Sequence, residues 1–533
     1  MKFINKLNID RIVGRKLDDL VLYAFFLAVL ATTFLTAAYY LYSPLRVDGG
    51  WYSYPALSLS RGGDPGENYE EVDDLKEIEG IKVKFDVKDD FRRSIRLIPM
   101  TLWFKVLGTS IWMVKMYGIV EYIILLTLMF LVLRQITRDR NFLFLCFTIY
   151  LLDNPPIWYG TTNLRPDIII TAVSLGVFLL VRMEERIDRR ILIFLLGVLG
   201  IFLLALIRVT AAISLVLLLS YLFIELSLSW HNLSGFKKWF YISLIAAGVI
   251  GYLSRDHLLD MIISAEHFPQ QPYHMDRWAY MILKEKDLIW KLSKELGRWG
   301  AYFRLSNNIG SLIAVLVAFG LLLARSLFRA DQTPKRQDMR IGLSCLFAVA
   351  ALANFGPTDS VGHALPVAAY LFLLLARELE LISFPRIRKL AVPLLLGIVF
   401  ASAGIRFAQG INVVAKSIKN GFSNAAIVET MSDVFNSAGK NYVVFGSTEL
   451  WPYFNPKTNV LIIDFRHKYA LNRLSDSVKS VDYIIIDKPY EEEGWEKTFL
   501  SRYPGIELKT VRKVGNPMSG WYFIRVTRPS FSG

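Results

Sequence analysis

Two short stretches hold side chains suited to acid–base and phosphate chemistry. The first reads Val47-Asp48-Gly49-Gly50-Trp51-Tyr52-Ser53-Tyr54-Pro55-Ala56-Leu57, followed by Arg61-Gly62-Gly63-Asp64-Pro65. A carboxylate at Asp48 can take a proton from a hydroxyl, and two adjacent glycines let a ligand approach the backbone closely. Tyr52 is a companion candidate for substrate contact. The alternative for Asp48 is an Asp-Gly turn ending a helix, a common use of that dipeptide. The second stretch is Leu164-Arg165-Pro166-Asp167, which opens an apolar run. Pro166 at a first helical position and Asp167 in the first turn suit a helix start. Arg165 does not, because a cation is unfavourable at a helix N-terminus unless it meets an anion.

Two further residues join the set. Arg208 divides a long apolar stretch into two segments of barely spanning length. A charge there either faces a cavity and a partner or snorkels to the interface, and both readings stand. His363, with Asp359 just before it, starts another apolar run. Glu266, His267 and His274 match no zinc-ligand spacing and read as polar loop residues. A divalent metal could assist, but no strong motif indicates one. The pooled chemistry is a base plus a cationic group. It suits deprotonating an acceptor hydroxyl while arginines offset the charge on a departing phosphate.

Whether these residues can meet depends on the elements that carry them. The chain has 533 residues, 53% of them hydrophobic. Apolar runs recur from the uncharged segment 20–42, long enough for a hydrocarbon core of roughly 30 Å, to about residue 405. Segment 20–42 is read as a retained first span, since no small-residue cleavage site follows it cleanly. Further runs lie near 112–133, 141–153, 167–182, 191–207, 209–227, 237–253, 307–329, 341–355, 361–376 and 390–405, about eleven spans in all. Segment 95–107, interrupted by Arg96, Pro99 and Lys105, fits an interfacial helix. A second surface helix is expected in 254–306 from the periodicity through Trp278, Met281, Leu288 and Leu292. Cys146 and Cys345 lie inside apolar runs and read as small core residues.

The formal net charge is +14, and its placement excludes a nucleic-acid reading. Lys and Arg concentrate in alternate connectors. These are the N-terminal segment, 134–140, 182–190, Lys237-Lys238, 325–340 and 377–389. By the positive-inside rule these face the cytoplasm. Asp48, Arg165, Arg208 and His363 then share the opposite face of a cell inner membrane. From about residue 412, apolar runs shorten to strand length at Tyr442–Phe445, Asn459–Phe465, Asp482–Asp487 and Trp521–Val526. Helix-like stretches 424–438 and 468–479 lie between them, predicting a small α/β domain. The expected organisation is a transmembrane module, 1–411, and a soluble extracytoplasmic domain, 412–533.

On Asp48, Ala56-Leu57…Gly62-Gly63-Asp64-Pro65, Leu164-Arg165-Pro166-Asp167, the Arg208 break and His363-Ala364-Leu365-Pro366, the chain resembles the GT-C glycosyltransferases. These are many-span α-helical enzymes that use lipid-phosphate-linked sugars. The branch is the one with protein O-mannosyltransferases and the bacterial transferase that adds aminoarabinose to lipid A. The resemblance implies that Asp48 is the general base. It implies that Arg208 and Arg165 hold the lipid phosphate and that the sugar inverts in one displacement. A polyprenyl-phosphate sugar would be the donor, and a glycan, lipid or protein the acceptor. Two departures are plain. Many relatives have a second acid where this chain has Gly49, and a His-Pro-Pro element where it has Arg96-Leu97-Ile98-Pro99. The rival from another class is a transporter or flippase of lipid-linked sugars. Such proteins usually carry repeats and polar groups near the midplane, and no repeat of fixed period appears here.

Overall fold

The structure is a computed structural model. It describes residues 41–45, 47–63, 69–71, 75–78, 81–84, 96–151, 164–184, 187–205, 365–381, 419–436, 441–446, 448–455, 458–464, 481–487, 505–516 and 519–527, with scattered positions in the remaining apolar runs. The expected surface helix within 254–306 and the helix at 468–479 lie outside these residues. So do most of the expected spans at 209–227, 237–253, 307–329, 341–355 and 390–405.

Several apolar runs fold as their pattern predicts. Helices α3 (Ile111–Ile136), α4 (Arg140–Leu151), α5 (Asp167–Met183), α6 (Ile187–Ala205) and α7 (Leu365–Leu381) form one bundle. Among the described residues α3 alone is long and apolar enough to cross a membrane, and its 26 residues reach about 39 Å at ~1.5 Å each. Ser110 caps it by accepting from the Met113 N–H. The bundle core is aliphatic and aromatic, with Leu125, Met129, Ile170, Leu175 and Tyr370 fully or nearly fully buried. Ser174 and Tyr370 exchange a buried hydrogen bond of 3.1 Å between α5 and α7. Gly197 lets α6 approach α5 closely, since a Cβ there would lie 2.4 Å from Val177 Cγ1.

Apolar side chains also face outward. Leu192, Leu196 and Leu199 form an exposed row on α6. Helix α2 (Leu97–Leu107) buries Met100 and Phe104 and exposes Ile98, Leu102 and Val106, each four residues apart. This 11-residue helix thus has one apolar face on protein and another facing away.

The described parts of three basic connectors, 134–140, 182–184 and 377–381, lie at one end of this bundle. The Arg138 N–H donates to Glu380 at 3.2 Å, Arg182 donates to the Gln135 carbonyl at 3.1 Å, and Arg140 stacks over Tyr23 at 5.0 Å. At the other end Lys115 donates to the Ser43 carbonyl and Arg96 to the Arg165 carbonyl.

Helix α1 covers Val47–Ser60, so Asp48-Gly49 opens a helix rather than ending one. The same loop then supplies strand β1 (Tyr69–Glu71) and a hairpin, β2 (Leu75–Ile78) with β3 (Ile81–Lys84), in which Ile78 pairs with Ile81 across two residues.

The remaining elements are helix α8 (Asn424–Val434), strands β4 (Asn441–Gly446), β5 (Asn459–Asp464), β6 (Tyr483–Asp487), β7 (Glu507–Asn516) and β8 (Ser519–Thr527), and a 3-10 helix at Thr448–Tyr453. They build a mixed sheet of order β1-β5-β4-β6-β8-β7. Strands β1, β5, β4 and β6 run parallel, while β8 pairs antiparallel with β6 and β7 antiparallel with β8. The edge strand β1 belongs to the first loop: Tyr69 registers with Ile462 and Glu71 with Asp464. This sheet is therefore built from two parts of the sequence far apart along the chain.

Candidate functional site

The end of the bundle opposite the basic connectors collects the candidate residues that the structure describes. Asp48 is the second residue of α1, so its backbone lies where free N–H groups and the helix dipole favour an anion. The two glycines after it are buried, and Ser53 donates back to the Gly49 carbonyl at 2.7 Å. Tyr52 stands one turn beyond Asp48 on the same face and is half-buried against the apolar cluster beneath α1. Pro55 sits inside this helix and removes one backbone donor.

Arg165 and Asp167 form an ion pair. Arg165 Nε donates to Asp167 Oδ2 at 2.9 Å, with the carboxylate fully buried. The anion that a cation requires at the start of α5 is thus supplied two residues along the same chain. Leu164, just before it, has φ +48, a left-handed backbone that costs a branched residue about 1 kcal/mol or more. Two contacts oppose that cost. The Leu164 side chain is fully buried in the cluster that also holds Leu45, Tyr54, Leu57 and Met100. The Arg165 carbonyl accepts from Arg96 Nη2 at 2.8 Å.

Arg96 is the hub of this end. It precedes α2, is 1% exposed, and forms a bidentate ion pair with Glu121 of α3, with Nε to Oε1 at 3.0 Å. Its guanidinium also lies 5.9 Å from the Tyr117 ring, and Trp103 meets that ring edge-on at 5.9 Å. Glu121 lies about 15 Å along α3 from Ile111, at ~1.5 Å per residue. Two oppositely charged groups at that depth are tolerable because each meets the other. Nη1 of Arg96 is buried with no acceptor among the described residues.

A second cation, Arg61, closes α1. It donates to Thr109 at 3.4 Å and stacks over Trp451 of the 3-10 helix at 5.2 Å. Burial holds its guanidinium below the ordinary arginine value, with Tyr54 acting the other way. Tyr54 in turn meets Trp451 edge-on at 5.2 Å, so α1 is seated along the C-terminal domain.

The structure thus brings Arg165 and Asp167 into contact and seats Tyr52 one helical turn beyond Asp48. Arg208, His363, Asp64, the loop 154–163, and Glu266, His267 and His274 lie outside the described residues, as does the side chain of Asp48. Among the described residues no group of three or more His, Cys, Asp and Glu converges on a metal position. The pattern reading missed Arg96, Lys115, Glu121 and Tyr117 as a polar group. A signal was present, because Lys115 and Glu121 are charges inside the apolar run 112–133.

Over 93% of this chain and 97% of the other, the fold is similar to the crystal structure of ArnT from Cupriavidus metallidurans in the apo state. The TM-score is 0.51 at 9% identity. The two chains therefore share a fold. An Archaeoglobus fulgidus oligosaccharyltransferase in complex with Zn and sulfate matches at TM-score 0.43 and 12% identity, over 93% of this chain and 72% of that one. The oligosaccharyltransferase AglB of the same organism, in complex with an inhibitory peptide and a dolichol-phosphate, matches at TM-score 0.39 and 10% identity, over 96% and 75%. No protein-family model and no curated protein sequence matches the chain.

Proposed function

We propose that this protein is a membrane glycosyltransferase. It moves a sugar from a polyprenyl-phosphate carrier to a hydroxyl on a glycan, lipid or protein acceptor outside the cytoplasmic membrane. In this reading 1–411 forms a transmembrane module of about eleven spans. The basic connectors face the cytoplasm, and 412–533 is the extracytoplasmic domain. The observation that supports the reading is that three groups share one end of the helix bundle. The N-terminus of α1 with Asp48, the Arg165–Asp167 pair and the Arg96 hub all lie opposite the basic connectors.

The reaction is a single inverting displacement. The acceptor oxygen bonds to the anomeric carbon as Asp48 takes its proton. The bond from that carbon to the phosphate oxygen breaks, and the polyprenyl phosphate leaves with the electron pair. Arg165, held by Asp167, and Arg208 offset the charge on the departing phosphate, while His363 and Tyr52 contact substrate. A site at the bilayer face is reachable by a lipid headgroup diffusing in the membrane.

Asp48→Asn removes the proton acceptor at nearly constant shape. With radiolabelled polyprenyl-phosphate hexoses and pentoses as donors and a membrane extract as acceptor, turnover should fall at least ~100-fold with donor KM little changed. Near-wild-type turnover would sink the assignment. A transporter would instead move the labelled lipid across liposomes with the sugar still attached.

A further inference from the structure

The C-terminal domain has no role in that reading beyond its location, yet it grips the helix that carries Asp48 at several points. At the start of α1, the Tyr453 hydroxyl accepts from the Leu45 N–H at 2.8 Å and donates to Asn424 Oδ1 at 2.8 Å. Asn424 Nδ2 donates onward to the Leu41 carbonyl. Leu41 and Leu45 lie where the first span passes into α1, and Leu45 is three residues before Asp48. In the middle and at the end of α1, Trp451 meets Tyr54 and Arg61. Beyond α1, the same loop adds β1 to the sheet.

The joint is rigid on the domain side. Tyr453 and Asn424 are both buried, the Tyr453 ring meets Trp521 edge-on at 5.6 Å, and Ser423 caps α8 by accepting from Ala426. Burial drives the Tyr453 phenol well above its ordinary range, so it stays protonated and remains a donor. From the membrane side, Lys115 of α3 donates to the Ser43 carbonyl. The five-residue segment from Leu41 to Leu45 is therefore fixed from two directions. A phenol oxygen that accepts from the Leu45 N–H and an amide that donates to the Leu41 carbonyl satisfy backbone groups that the break before α1 leaves without helical bonds.

We propose that the C-terminal domain is the positioning element of the catalytic face, with Tyr453 and Asn424 as positioning residues that set where α1 begins and hence where Asp48 stands. The proposal rests on Asp48 being the base. Proton transfer needs the base within hydrogen-bond reach, and a displacement of about 1 Å costs on the order of 100-fold in rate.

The test uses the full chain in lipid nanodiscs. Tyr453→Phe keeps the ring against Trp521 and removes both hydroxyl bonds. Hydrogen exchange at the Leu45 amide and the following residues should speed at least ~10-fold, while amides of β4, β5 and β6 stay protected. With the same donor panel, kcat should fall about 10- to 100-fold and donor KM should stay within about two-fold. Asn424→Ala should act the same way, and the double variant should be no worse than the more damaged single, because both cut one joint. Unchanged Leu45 exchange in Tyr453→Phe would overturn the joint, and fast exchange with unchanged kcat would overturn its positioning role. Where Tyr453→Phe fails to assemble, Asn424→Ala carries the same outcomes with the phenol in place. Failure of the base reading is separable. It appears as turnover in Asp48→Asn, whatever Leu45 exchange does.

Discussion

Replacing Glu121 with glutamine is the sharpest test of the buried hub behind the site. Glu121 accepts two donors from Arg96, and both side chains are at least 95% buried. Glu121→Gln keeps the shape and one acceptor but leaves the guanidinium charge uncompensated. At about 4 Å and an effective dielectric of about 20, a unit-charge pair is worth roughly 4 kcal/mol. Breaking one partner of a buried pair costs about 3–5 kcal/mol. Replacing both partners with apolar residues is far milder for the pair itself. In Arg96→Met/Glu121→Leu, however, the bond to the Arg165 carbonyl is also lost, and a charged hydrogen bond is worth about 1.5–3 kcal/mol. The expected order of stability is therefore wild type, then the double variant, then either single. The double should lie above Glu121→Gln by about 1–3 kcal/mol. Reversible unfolding in mixed micelles, followed by tryptophan fluorescence, reads these differences. The reasoning fails if Glu121→Gln unfolds within ~1 kcal/mol of wild type, or if the two single costs simply add in the double.

Two further outcomes follow from the same geometry. Arg165→Lys keeps the charge but loses the Nε–H that donates to Asp167, so under the proposed function donor KM should rise roughly 10-fold or more with kcat less affected, read by initial rates across donor concentrations. Gly197→Ala should destabilise by about 1–3 kcal/mol by driving a methyl into Val177, and Gly197→Ala/Val177→Ala should recover part of that loss in the same unfolding assay.

Much of the scaffold was legible in the sequence. The runs near 112–133, 141–153, 167–182, 191–207 and 361–376 coincide with α3 to α7. The strand-length runs from Tyr442, Asn459, Asp482 and Trp521 coincide with β4, β5, β6 and β8. Each of these is set by a local preference for burial, which writes its own period into the chain. Strand β7, Glu-Leu-Lys-Thr-Val-Arg-Lys-Val-Gly-Asn, was not legible because it lies at the sheet edge with most side chains exposed, so no apolar alternation marks it. Helix α1 was hidden by Gly49, Gly50 and Pro55, three residues that argue against a helix when read locally.

The sequence alone determined which segments are apolar, how their basic connectors alternate, and that Asp48, Arg165 and Asp167 follow or open such segments. Those features depend on neighbours a few residues apart. Tertiary structure alone decided that Arg96 meets Glu121 and the Arg165 carbonyl, that Tyr69–Glu71 completes a sheet begun at residue 441, and that Tyr453 holds Leu45. The last contact spans 408 residues. Each such pairing is chosen by the surface and hydrogen-bonding groups left over once the local elements have formed. No local pattern records which donor will find which acceptor.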